Sequence, residues 1–75
     1  MSNLGKKKVI QFIGSLGDGG AETLVKDYAL LLDKEKFDVV IVTLYVQEFS
    51  ANARRLREQE NIRIISIYPN YSLFR

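Results

Sequence analysis

The sequence contains no cysteine and no histidine, and its one proline, Pro69, stands near its end. Without cysteine there can be no disulfide, no zinc–thiolate site and no thiol nucleophile, a composition that suits a reducing compartment. Without histidine no Ser–His or Cys–His relay can be assembled, so a general base would have to be Asp, Glu, Lys or Tyr. Long apolar runs are missing as well: nothing approaches the roughly 20 residues that span a bilayer, and residues 1–5 lead into lysines and a short strand, not a secretory core. An excess of one charge sign is small, a formal +2 supplied by Lys6, Lys7 and Lys8. That run sits directly before an apolar strand and lacks the basic stripe and aromatic contacts of a nucleic-acid interface, so no nucleic-acid partner is expected. The expected location is cytoplasmic, with at most peripheral contact to a membrane surface.

With 75 residues the chain falls below the usual domain size of about 100–150. Folding at this length hides only roughly 60–65% of the unfolded chain's surface, so nearly every apolar side chain must be well placed. Val9, Ile10, Phe12 and Ile13 form an apolar run that predicts a first strand over 8–13, entering a cluster of Gly14, Gly17, Gly19 and Gly20. Ala21, Leu24, Val25, Tyr28, Leu31 and Leu32 recur at three- and four-residue steps, which predicts a helix over 20–33 with these residues in the core. Residues 37–45 are rich in Val, Ile, Thr and Tyr and predict a second strand covered on both faces. Ser50 is a plausible N-cap for a weaker helix over 51–60 that packs through Phe49, Ala53 and Leu56. Ile62, Ile64, Ile65 and Ile67 predict a third strand, stopped by Pro69. The succession gives an α/β fold: a three-layer, Rossmann-like βαβαβ half-domain with a parallel sheet in the order 3-2-1. A full fold of this type adds a fourth strand beside the first. The expectation is therefore an incomplete domain whose residues 70–75 begin a connection, or a chain that pairs with another copy through the open edge of its first strand.

The glycine cluster lies where a strand meets a helix, and the first amides of a helix point outward with partial positive charge, ready for a phosphate or carboxylate. Two phosphate motifs fail there. A P-loop needs Lys and a hydroxyl where Gly20 and Ala21 stand. The dinucleotide fingerprint begins at Gly17 and Gly19 but has Glu22 at its third glycine, and Thr43-Leu44-Tyr45 supplies no acid for a ribose, so NAD is not expected.

A lysine-led apolar strand, then Ser-Leu-Gly-Asp-Gly-Gly-Ala-Glu over residues 15–22, a helix with Leu24 and Val25, and a strand ending Val42-Thr43-Leu44 together resemble the start of family 4 (group 1) retaining glycosyltransferases. The likeness covers about residues 7–45, with Gly19-Gly20-Ala21-Glu22 its specific part; residues 46–75 agree in pattern alone. The resemblance implies a GT-B architecture of two Rossmann-like domains. The N-terminal one holds a sugar or lipid-linked acceptor, and a C-terminal one, outside this chain, binds the nucleotide-sugar donor. It implies a polysaccharide-building hexosyltransferase of which this chain alone is an inactive fragment, with the nucleotide sugar as substrate and no cofactor or metal. Carried onto this sequence, the main-chain amides of Gly17, Asp18, Gly19 and Gly20 approach the donor's diphosphate and sugar. No residue here is assigned as catalytic.

Other residues carry two readings each. Glu22 either folds back to the amide of Gly19, favouring the helix start by about 0.5–1 kcal/mol, or contacts ligand. Asp18 reads most simply as a turn residue. Arg54, Arg55 and Arg57 form either a solvated helix face or a contact to anionic lipid head groups. Tyr45 and Tyr68 end strands, where they line an acceptor site or pack under a loop. The alternative to an enzyme is a non-catalytic α/β module that self-associates through the first-strand edge.

Overall fold

A computed structural model describes residues 5–68. The elements run β1 (Lys7–Leu16), α1 (Gly20–Leu31), β2 (Phe37–Val46), α2 (Ala51–Arg57) and β3 (Ile62–Ser66). The strands form one parallel sheet in the order β1-β2-β3, with Val9 opposite Val39 and Ile41 opposite Ile64. A small α/β unit with an open three-stranded parallel sheet is thus present. Pro69 and residues 70–75, which the sequence assigns to a strand end and a connection, lie outside the described residues.

The core is built from one face of this sheet. Val39, Ile41 and Ile62 are buried beside Ala29 of α1 and Ala53 and Leu56 of α2, with Val9, Ile13, Val25 and Ile64 packed around them. The two helices touch each other as well as the sheet. Side chains alternate along a strand, so the opposite face receives Ile10, Phe12, Leu44, Ile65 and Ile67, all exposed. The described residues therefore make two layers, not the three expected. Two crossovers of the same hand progressing in one direction put both helices on the same side.

Several boundaries differ from the sequence-based expectation for physical reasons. The first strand extends past Gly14 to Leu16 because its pairing with β2 continues to Val46, so Gly14 belongs to the sheet and not to the turn. Helix α1 ends at Leu31, and Asp33 closes the following turn: its side chain accepts from the amide of Glu35 at 2.9 Å and its carbonyl from the amides of Lys36 and Phe37. Helix α2 is shorter than expected, seven residues, and Phe49 before it is exposed while Ala53 and Leu56 are buried.

The predicted core face of α1 needs a larger correction. Leu24, Tyr28 and Leu31 are exposed, and the helix meets the sheet through Val25, Ala29 and Leu32. At 100° per residue these are two stripes about 110° apart. One sheet contact cannot cover both, and the stripe containing the small Ala29 permits the closer approach.

One buried polar atom is left over. Gln11 lies on the helix-covered side of β1, and its Oε1 is buried without a hydrogen-bond partner among the described residues. An unsatisfied acceptor of this kind costs roughly 1–3 kcal/mol. The substitution Gln11→Met keeps the length and removes the acceptor. It is expected to raise stability by about 1 kcal/mol in urea denaturation; an unchanged or lower midpoint would show that the side chain finds a partner in solution.

Candidate functional site

The C-terminal end of β1 and the N-termini of both helices meet at the glycine loop. Each helix begins with amides that have no partner within the helix, so two sets of orphan donors converge on one place. Their treatment differs. In α2, the Asp18 carboxylate accepts from the amides of Ala51 at 3.2 Å and Asn52 at 3.0 Å, while Ser50 Oγ accepts from Ala53 at 3.2 Å. All three first-turn donors are satisfied, and Ser50 is the N-cap as its position predicts. A seven-residue helix is far too short to stand on its own, so this capping from outside fixes where it starts.

In α1 the cap is Gly19, which has no side chain, and the first helical bond runs from the amide of Thr23 to the carbonyl of Gly19 at 2.9 Å. The amides of Gly20 and Ala21 find no protein acceptor among the described residues. Helix α1 therefore starts with unpaired amides beside a loop from which side chains are largely missing, and the acidic side chain in its first turn is that of Glu22.

The loop's shape is held by Asn52. Its side-chain amide donates to the carbonyl of Gly17 and to Thr23 Oγ1, both at 2.9 Å, bridging loop, α1 and α2 from a buried position. The glycines serve space and not unusual backbone angles, since no described glycine has positive φ. A Cβ on Gly17 would stand 2.6 Å from Gln47 Oε1, and one on Gly19 would collide with the Glu22 carboxylate. Gly20 differs, for a Cβ there meets no atom within 4 Å. Nothing in the fold requires glycine at that position.

Glu22 folds back over Gly19 without the expected bond from the Gly19 amide; its Oε2 accepts instead from Ser15 Oγ at 3.0 Å. Its carboxylate thus stands at the positive end of α1, tied to a strand hydroxyl. A carboxylate at this place accepts hydrogen bonds from hydroxyl groups and opposes a close second anion, which suits it to a polyol next to a phosphate better than to the phosphate itself.

The arginines predicted as a cluster are separated by their partners. Arg57 forms a two-pronged contact with Glu48, at 2.8 and 2.5 Å, and Arg55 pairs with Glu58 at 3.4 Å. The Arg57 hydrogen bond holds the Glu48 carboxyl below its usual range, and the same contact raises Arg57. Both groups are exposed, so the pair is worth at most about 1 kcal/mol. Arg54 has no side-chain partner among the described residues. Tyr45 is half-buried opposite Ser15 in the sheet, and the Tyr68 amide donates to the carbonyl of Leu44 at 2.8 Å. Among the described residues no group of three or more acidic side chains gathers as a metal site. No described helix is long and apolar enough to cross a membrane.

The sequence pattern does not single out Asn52, Ser15 or Gln47. The available signal was weak: a polar residue directly after a Ser N-cap and its first helical residue is ordinarily solvated, and only the position of the loop makes Asn52 a buried bridge.

Removing the Asp18 carboxylate strips two caps from α2. Asp18→Ala is expected to cost about 1–2 kcal/mol and to abolish hydrogen-exchange protection at the amides of Ala51 and Asn52. Arg54→Ala, on the exposed face of the same helix, should leave both unchanged. Retained protection in Asp18→Ala would show that α2 is fixed by packing of Ala53 and Leu56 alone.

Comparisons with protein-family models, with curated proteins and with solved structures find no match for this chain.

Proposed function

We propose that this chain is the acceptor-side opening of a retaining GT-B glycosyltransferase, which moves a sugar from a nucleotide-sugar donor to a sugar or lipid-linked acceptor and of which this part alone is inactive. The observation that carries the reading is the asymmetry between the two helix starts. The amides of α2 are capped by Asp18 and Ser50, whereas those of Gly20 and Ala21 at the start of α1 are free, beside a glycine with open space where a side chain would be. A diphosphate fits such a donor set. Glu22 and Ser15, one step away, offer an acceptor and a hydroxyl for the transferred sugar. The sequence resemblance over residues 7–45 supports the same ligand class.

Roles follow from position. Asp18 acts through its backbone and as the cap that holds the loop; Gly17 gives room to Gln47; Gly19 and Gly20 admit the ligand. Catalysis is not assigned to any residue of this chain. Arg54, with no partner on α2, is the residue of its cluster most free to meet an anionic lipid head group.

A second reading is favoured by one observation, that β1 pairs with β2 on one side only. In it the chain is a non-catalytic module whose open edge pairs with another copy.

The test is a sugar-transfer assay on the product of the full reading frame that contains this chain, with a panel of nucleotide sugars. Turnover of one donor is expected, and Gly20→Val should lower kcat/KM at least tenfold while the protein stays folded, because a Cβ at this position meets nothing within 4 Å. Absence of turnover with every donor, or full activity in Gly20→Val, would sink the reading.

A further inference from the structure

The face of the sheet opposite the helices is apolar, and nothing among the described residues covers it. Ile10, Phe12, Leu44, Ile65 and Ile67 project from it, and Phe12 is 76% exposed. Parallel sheets are ordinarily covered on both faces, so a bare one is an unfilled contact. Next to Phe12, at the following outward position of β1, stands Gly14, and a Cβ there would meet nothing within 4 Å. Gly14 lies in the floor of a shallow, largely open hollow of about 290 Å³, walled by Phe12, Val42, Leu44 and Ile67. A projecting ring and a hollow thus lie side by side on one strand.

We propose that two copies of this chain stack face to face about a two-fold axis that lies between the sheets, perpendicular to the strands. This axis sets β1 over β1 in opposite directions. Centred on the row of Ile13, it puts Phe12 of each copy over Gly14 of the other, Val42 over Leu44 and Ile65 over Ile67; the strand pairings Phe12–Val42–Ile65 define the row. Each ring enters the other's hollow, which makes the contact self-complementary, as an isologous dimer requires.

The area approaches that of a small specific dimer. Taking about 200 Å² for a fully exposed side chain of this size, the five projecting residues leave roughly 550 Å² per copy. Two copies would bury about 1,100 Å² before Val40, Val42 and the rim are counted, near the lower bound of about 1,200 Å² for a specific dimer. The proposal rests on the sheet face and not on the glycine loop, so it and the sugar-transfer reading can fail separately.

Analytical ultracentrifugation of the 75-residue chain over a micromolar concentration series tests it. A species of twice the 8.6 kDa chain mass is expected. Two variants decide the mode. Phe12→Lys removes the ring, and Gly14→Val places in the hollow a side chain whose Cβ meets nothing within 4 Å; each should weaken dimerisation at least tenfold with the circular dichroism spectrum retained. General stickiness predicts the reverse for Gly14→Val, since it adds apolar surface. A chain that stays monomeric, a monomer that instead binds phosphatidylcholine vesicles, or a dimer that survives both substitutions, as pairing through the β1 edge would, overturns the proposal.

Discussion

The carboxylate of Asp18 decides how the end of this molecule is arranged. Two helices start at the same end of a parallel sheet, and each brings amides that need acceptors. Asp18 lies in the loop before α1 but spends both oxygens on α2. That choice anchors a helix too short to form unaided, draws the loop toward it, and leaves the amides of Gly20 and Ala21 at the start of α1 without a protein acceptor among the described residues. Asn52 then reinforces the arrangement by fastening the Gly17 carbonyl and the Thr23 hydroxyl to the same helix. Loop, α1 and α2 are in this way one polar unit laid over the rim of the apolar core.

The glycines gain their meaning from that unit. At Gly17 and Gly19 a Cβ would meet only the movable ends of the Gln47 and Glu22 side chains, and backbone strain plays no part. At Gly20 a Cβ would meet nothing within 4 Å. Neither backbone angle nor rigid packing demands the three glycines, and Gly20 is the place where a ligand has most room to approach main-chain donors. The same logic applies on the other side of the sheet, where Gly14 leaves a hollow within an apolar face. A glycine with empty space next to it directs attention outward, to whatever the molecule meets.

The order of elements and the parallel sheet were legible in the sequence because the apolar runs of β1, β2 and β3 are strong and the Ser50 cap is explicit. Layering was not. The chain carries apolar residues on both faces of its strands, which reads as a sheet covered twice, and composition does not say that both helices fall on one side. The orientation of α1 was also beyond periodicity, since its six apolar positions span two stripes and only the small Ala29 lets one of them approach the sheet. At the loop, the junction of a strand end with a glycine-rich helix start could be read, but not the bond from Asp18 to residues 33 and 34 positions later. Contacts of that range exist only once the chain is folded.

The most direct test of the central claim is a titration of the ¹⁵N-labelled chain with pyrophosphate and, separately, with a nucleoside-diphosphate sugar into the millimolar range, read as amide chemical shifts. The account predicts changes concentrated at Gly19, Gly20 and Ala21 with both ligands, joined by Ser15 and Glu22 when the sugar is present, while the capped amides of Ala51 and Asn52 stay in place. Shifts at Ala51 and Asn52 with none at Gly20 and Ala21, or no response to either ligand, would contradict it.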